Sequence, residues 1–139
     1  MVSDGFLSRD ELKDRRVLVL GLGLSGLAVA RAVSAAGAEV FASDARSELA
    51  SDPQILQLRE AGVQVETGTH RKAEKWMSSA DIVVPSPGIS PKSSVLAGAI
   101  ADGVPIMSEV ELAYRFVSSP IVAAICSAIG FTLYQYSVA

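Results

Sequence analysis

The sequence predicts an α/β domain of the Rossmann-like kind, with a mostly parallel sheet of five to six strands and helices on both faces. Three observations support this. Short β-rich runs alternate with helical runs from Arg16 to Ile125, the pattern of parallel strands joined by right-handed crossovers. The first run, Arg16-Val17-Leu18-Val19-Leu20, is almost continuously apolar, as a strand buried on both faces must be. A glycine-spaced turn, Gly21-Leu22-Gly23-Leu24-Ser25-Gly26, joins that strand to a helix.

The elements follow in order. Leu24 to Ala36 is rich in Ala and Leu and reads as a helix, with Gly37 at its C-terminal cap. Glu39 to Ser43 is the second strand. Asp52 and Pro53 open another helix as cap and first-turn residue, and Gly62 ends it. Val63 to Glu66 is a third strand, Gly68 to Ser79 a loop with a short helix, and Asp81 to Val84 a fourth strand. A helix over Pro91–Ala101 stops at Asp102-Gly103, and Val104 to Met107 is a fifth strand. Ser108 caps a helix over Glu109–Phe116, with Glu111 in capping-box position. Pro120 to Ile125 is the sixth strand.

Composition narrows the function. Half the residues are hydrophobic and 19% are charged, so the 139-residue chain can build one real core. A net charge of -3 offers no basic field for nucleic acid. No stretch approaches the roughly 18 apolar residues of a membrane helix, and residues 1–16 lack the apolar run of a secretion signal. With Cys126 as the single cysteine no internal disulfide can form, which fits a cytoplasmic protein.

The glycine loop is the chemical feature. A helix start exposes unpaired N–H groups and the positive end of the helix dipole, so a diphosphate seated there needs no basic side chain. Gly21 allows the tight turn, Gly23 lets the backbone approach phosphate, and Gly26 lets helix and strand pack closely. Ser25 can add a hydroxyl donor. The alternative is a glycine turn that merely packs. Asp44, ending the second strand, stands where dinucleotide enzymes place an acid on the ribose; otherwise it caps the next turn. Arg46 is a nucleotide contact or a surface charge. On these residues alone the cargo is NAD(P), as in an oxidoreductase module.

Four blocks point to another nucleotide. They are Gly21-Leu22-Gly23-Leu24-Ser25-Gly26-Leu27-Ala28 with Asp44, then Asp81-Ile82-Val83-Val84-Pro85-Ser86-Pro87-Gly88-Ile89, then Val104-Pro105-Ile106-Met107-Ser108-Glu109-Val110-Glu111-Leu112, then Pro120-Ile121-Val122-Ala123. In that order they resemble the N-terminal domain of the Mur ligase family, and within it the D-glutamate-adding members. The likeness covers roughly Leu12 to Ala123, and the Ser-Pro-Gly-Ile and Ser-Glu-Val-Glu-Leu blocks are its most specific parts. It implies a domain that binds the UDP part of a UDP-muramoyl substrate, UDP-N-acetylmuramoyl-L-alanine. The backbone at Gly23, Leu24, Ser25 and Gly26 would then hold the diphosphate, and Asp44, Ala45 and Arg46 would lie at the uracil. Gly68 would be near the nucleotide, and Ser86, Pro87 and Gly88 would form a pocket wall. Two departures are Ala45, where some relatives carry a hydroxyl, and Pro85, where a β-branched residue is expected.

The resemblance implies a domain over 1–123 and an atypical tail over 124–139. In the family an ATP-binding central domain follows, and ATP and Mg serve its acyl-phosphate chemistry. Its phosphate loop needs two spaced glycines and then a lysine. Here Ala124-Ile125-Cys126-Ser127-Ala128-Ile129-Gly130-Phe131-Thr132 has Ile125 at the first glycine and Phe131 at the lysine. The expectation is a truncated chain that binds without ligating, holds no cofactor of its own, and has no catalytic or metal-binding residues. The tail from Phe131 either pairs as an extra strand or lies on the sheet. His70, the single histidine, reads as a loop residue near the nucleotide or on the surface, Trp76 as core or cover, and Cys126 as an inert buried thiol. Glu109 and Glu111 read as charges at a helix start.

Overall fold

The computed structural model describes residues 9–116, 121–127 and 130–135. A short helix α1 (Arg9–Leu12) leads into β1 (Arg16–Leu20), α2 (Leu24–Ala35) and β2 (Glu39–Asp44). A 3₁₀ turn at Ser47–Ser51 precedes α3 (Pro53–Glu60), β3 (Gln64–Thr67), α4 (Arg71–Met77) and β4 (Ile82–Pro85). Then come α5 (Ser94–Ala101), α6 (Glu109–Phe116), β5 (Ile121–Ser127) and β6 (Gly130–Gln135).

Four strands form a parallel sheet in the order β3-β2-β1-β4. Strand β1 sits inside it, and its alternating side chains supply two cores. Val17 and Val19 join Val40, Ala42 and Val84 beneath α2, α3 and α6, through Leu27, Ala30, Val33, Ile55, Leu58 and Leu112. Leu18 and Leu20 join Phe41 and Val83 beneath α4 and α5, through Ala73, Met77, Val95, Leu96 and Ala99. Each such buried Val or Leu contributes about 1.5–3 kcal/mol of transfer free energy. Trp76 is half-buried and packs on Phe41 with ring centroids 4.5 Å apart, the cover position its sequence context suggests.

The three-layer class is as expected, and among the described residues the parallel sheet has four strands, so the expected five to six are not reached there. Val104–Met107 contributes a single bridge, Ile106 to Val83, at the position a fifth strand would take. Pro105 accepts from Val83 N but has no N–H to return, and Met107 N closes the bridge on Val83 O. The Gly103 turn and the Ser108 cap bound the segment on either side, so no longer ladder can form. The expected sixth strand, Pro120–Ile125, is described from Ile121 on, and that part does not join the sheet. Ile121–Ser127 pairs antiparallel with Gly130–Gln135 as a separate two-stranded ribbon. The side chain of Cys126 lies outside the described residues.

From β1 the chain builds outward through β2 to β3, then returns to place β4 on the other side of β1. The reversal opens a crevice beyond the C-terminal ends of β1 and β4, the position where open parallel sheets take ligands.

Candidate diphosphate-binding site

The glycine loop crosses this crevice. Gly21 N donates to Ser43 O at 2.8 Å, and Ser86 N donates to Leu20 O at 2.7 Å, so the loop is bracketed by the ends of β2 and β4. The three glycines answer three different demands. Gly21 has φ +89°, and a Cβ there would stand 2.6 Å from Ser86 Cβ. A Cβ on Gly26 would stand 1.9 Å from Gly21 O, so only glycine lets α2 sit this close to the turn. A Cβ on Gly23 would meet no protein atom within 4 Å, and its φ of -72° suits any residue. The protein's own packing therefore requires Gly21 and Gly26 but not Gly23.

Helix α2 also starts differently from its neighbours. Asp52 caps α3 through Gln54 N, Ser93 caps α5 through Leu96 N, and Ser108 caps α6 through Glu111 N. The Glu66 carboxylate accepts from Lys72 N and Ala73 N at the start of α4. The N-cap of α2 is Gly23, which has no side chain to offer. The first turn of α2 is thus left with its N–H groups and positive dipole end beside the open face of Gly23, suited to an anion. The Leu24 side chain is 88% exposed beside it.

Asp44 holds the loop in place. Its carboxylate is buried and accepts from Leu22 N at 2.8 Å, Arg46 N at 2.9 Å, Arg46 Nε at 3.0 Å and Arg46 Nη2 at 2.9 Å. These four donors fill the acceptor directions of a carboxylate. Burial pushes the Asp44 carboxyl up, but the Arg46 side chain and the backbone N–H groups of Leu22 and Arg46 outweigh it and hold it below its ordinary value. Arg46, in turn, is raised chiefly by Asp44. Ala45 and Arg46 are exposed at the rim. Gly68 stands one strand further out, its N–H on Asp44 O at 2.9 Å. Ser86 touches the glycine loop, and its hydroxyl accepts from Gly88 N at 3.4 Å, while Pro87 and Gly88 are exposed.

Two features escape the sequence. Behind β2, Ser43 Oγ lies 2.7 Å from His70 Nδ1 and 3.3 Å from Glu66 Oε2. Ser43 is fully buried, so this Ser–His contact is structural and no nucleophile. The second is Glu109, which is 7% exposed, with both carboxylate oxygens out of solvent and without a hydrogen-bond partner among the described residues. Burial pushes its carboxyl above the usual range, and the Ser25 hydroxyl facing it offsets this in part. Its spacing to Leu112, one helical turn on, is the sequence signal for an inward-facing position.

Residues 15–108 match the family model for the Mur ligase MurD-like N-terminal domain. The chain belongs to that family. The UDP-N-acetylmuramoylalanine--D-glutamate ligase of Caldanaerobacter subterraneus subsp. tengcongensis is 40% identical over 113 residues, covering 81% of this chain and 25% of that protein. The ligase of the same name from Pelotomaculum thermopropionicum is 41% identical over 115 residues, covering 81% and 25%. The chain thus spans about a quarter of the length of these MurD relatives. Among solved structures, dipicolinate synthase A chain from Bacillus subtilis aligns with a TM-score of 0.51 at 20% identity, covering 70% of this chain and 38% of that one. Apo D-lactate dehydrogenase from Escherichia coli aligns at 0.50 and 20%, covering 70% and 29%. Those likenesses establish the Rossmann-like fold. Among the described residues no helix is long and apolar enough to cross a membrane, and no group of three or more His, Cys, Asp or Glu could hold a metal ion.

Proposed function

We propose that this MurD-like domain binds the UDP part of UDP-N-acetylmuramoyl-L-alanine, as the N-terminal domain of a D-glutamate-adding ligase of peptidoglycan synthesis. The observation behind this is the start of α2, which has no side-chain cap from Gly23 and faces outward beside a glycine that the fold does not need. The names of the MurD relatives supply the nucleotide and the acceptor chemistry. In the free chain the acceptor oxygens of Asp44 are engaged by Leu22 and Arg46. In our reading Asp44 organises the loop, while Ala45, Arg46 and Gly68 border the base and Ser86 to Gly88 wall the crevice.

ATP and Mg would serve the full-length ligase, but residues 124–132 do not fit the ATP loop. Ile125 and Phe131 occupy the positions of its first glycine and its lysine. No catalytic step is therefore assigned to this chain. Calorimetric titration with UDP, UDP-N-acetylmuramoyl-L-alanine and NADH tests the proposal. The two uridine ligands are expected to bind more tightly than NADH, and tighter NADH binding would overturn it.

A further inference from the structure

We propose that Glu109 is a positioning residue of this site: protonated, it donates to Ser25 Oγ and so turns the Ser25 hydroxyl hydrogen toward a phosphate oxygen of the bound nucleotide. The inference rests on the UDP reading above. Glu109 opens α6, which packs against α2, and Ser25 belongs to the first turn of α2. The Ser25 hydroxyl faces the Glu109 carboxyl.

A charge placed merely to suit a helix start would reach solvent or accept from the first-turn N–H groups. Glu109 does neither. Ser108 already caps α6 through Glu111 N, and both Glu109 oxygens are sealed and, among the described residues, unpartnered. An isolated buried carboxylate is costly when ionised and far less so when neutral.

Hydrogen-bond inventory then sets the direction of the effect. A serine hydroxyl has one hydrogen and two acceptor lone pairs. Opposite an ionised Glu109, that hydrogen turns inward to the carboxylate. The phosphate then faces a lone pair with a negative charge behind it. Opposite a protonated Glu109, Ser25 Oγ accepts from the acid and donates outward. Among the described residues no hydrogen bond reaches the Glu109 oxygens in the free chain; the proposed bond to Ser25 is one that forms when the loop takes its anion, as site hydrogen bonds commonly tighten on binding.

Among the described residues the surrounding charges do not offer Glu109 another partner. On α2 the charged residue is Arg31, whose guanidinium donates to Gln54 and Gln57 of α3. The glycine loop and residues 86–90 contain no titratable side chain, and Lys92 beyond them is exposed. Asp44 and Arg46 lie across Leu22 and engage each other. Glu111, on the same helix, is exposed.

The test is calorimetric titration of the full chain with UDP-N-acetylglucosamine from roughly pH 5 to pH 8. Its diphosphate is esterified at both ends, so the ligand's charge stays constant over that range. Wild-type affinity should fall on the order of tenfold as pH rises. Glu109→Gln, whose amide donates at every pH, should keep the acid-side affinity throughout. Ser25→Ala should bind more weakly and without the slope. A wild-type affinity that does not vary with pH overturns the inference while leaving the UDP reading intact. So does a slope that survives in Glu109→Gln, as one arising at His70 would. Absence of binding at every pH overturns the UDP reading and the inference with it.

Discussion

The Asp44 carboxylate at the end of β2 accepts the backbone N–H of Leu22 at 2.8 Å, tying the second strand to the turn that follows the first. The same carboxylate is clamped by the Arg46 guanidinium, so one buried acid fixes both the glycine loop and the rim beside it.

Asp44→Ala removes the acceptor and leaves the buried Leu22 N–H unpaired, a loss of about 1–3 kcal/mol. Chemical denaturation should show that drop. The folded-state carboxyl lies below its ordinary 3.8. Its stabilisation is therefore fully present above the unfolded-state value and is lost as pH falls through the lower folded-state one. The wild type should lose this increment on acidification through that window, and Asp44→Ala should not.

Gly26→Ala places a Cβ 1.9 Å from Gly21 O, a backbone atom that cannot move without disturbing β1. About 3 kcal/mol or more should be lost, read as a Tm lowered by about 4 °C per kcal/mol.

Glu66→Ala strips the cap from α4. Lys72 N and Ala73 N lose their acceptor, and Ser43 loses a neighbour in a buried site. A fall of about 1–3 kcal/mol is expected, together with faster hydrogen exchange over Arg71–Met77.

Glu109→Gln should stabilise the free chain near neutral pH. The folded-state carboxyl is raised above 4.5 by burial. Below the unfolded-state value both states hold the proton and nothing is lost. As pH rises toward the folded-state value the unfolded chain releases its proton first, and stability falls. The glutamine has no such proton to lose. Its Tm advantage should appear as pH rises from that window and be absent on its acid side.

Much of this was legible in the residues. The apolar run of β1, the glycine spacing and the caps at Asp52 and Ser108 each have a local cause, and they placed β1, α2, α3 and α6 to within a residue or two. The expected fifth and sixth strands do not extend the parallel sheet, because β-propensity does not reveal pairing. Pro105 allows one bridge, and Ile121–Ser127 finds a different partner. Gly21 and Ser86 are neighbours at the crevice. The bonding within the crevice could not be read, because whether Asp44 faces a ligand or Arg46 depends on a guanidinium two residues on folding back. Likewise, the spacing of Glu109 to Leu112 marks its helix face, but only the packing of α6 against α2 shows that its carboxylate is sealed from solvent.

The most direct test of the diphosphate cradle is the UDP affinity of Gly23→Ala, measured by calorimetry beside its Tm. The added methyl meets no protein atom within 4 Å, so the Tm should stay close to wild type. It would stand where the phosphates approach, so affinity should fall on the order of tenfold or more. An intact fold with unchanged UDP affinity would contradict the assignment of this loop to the diphosphate.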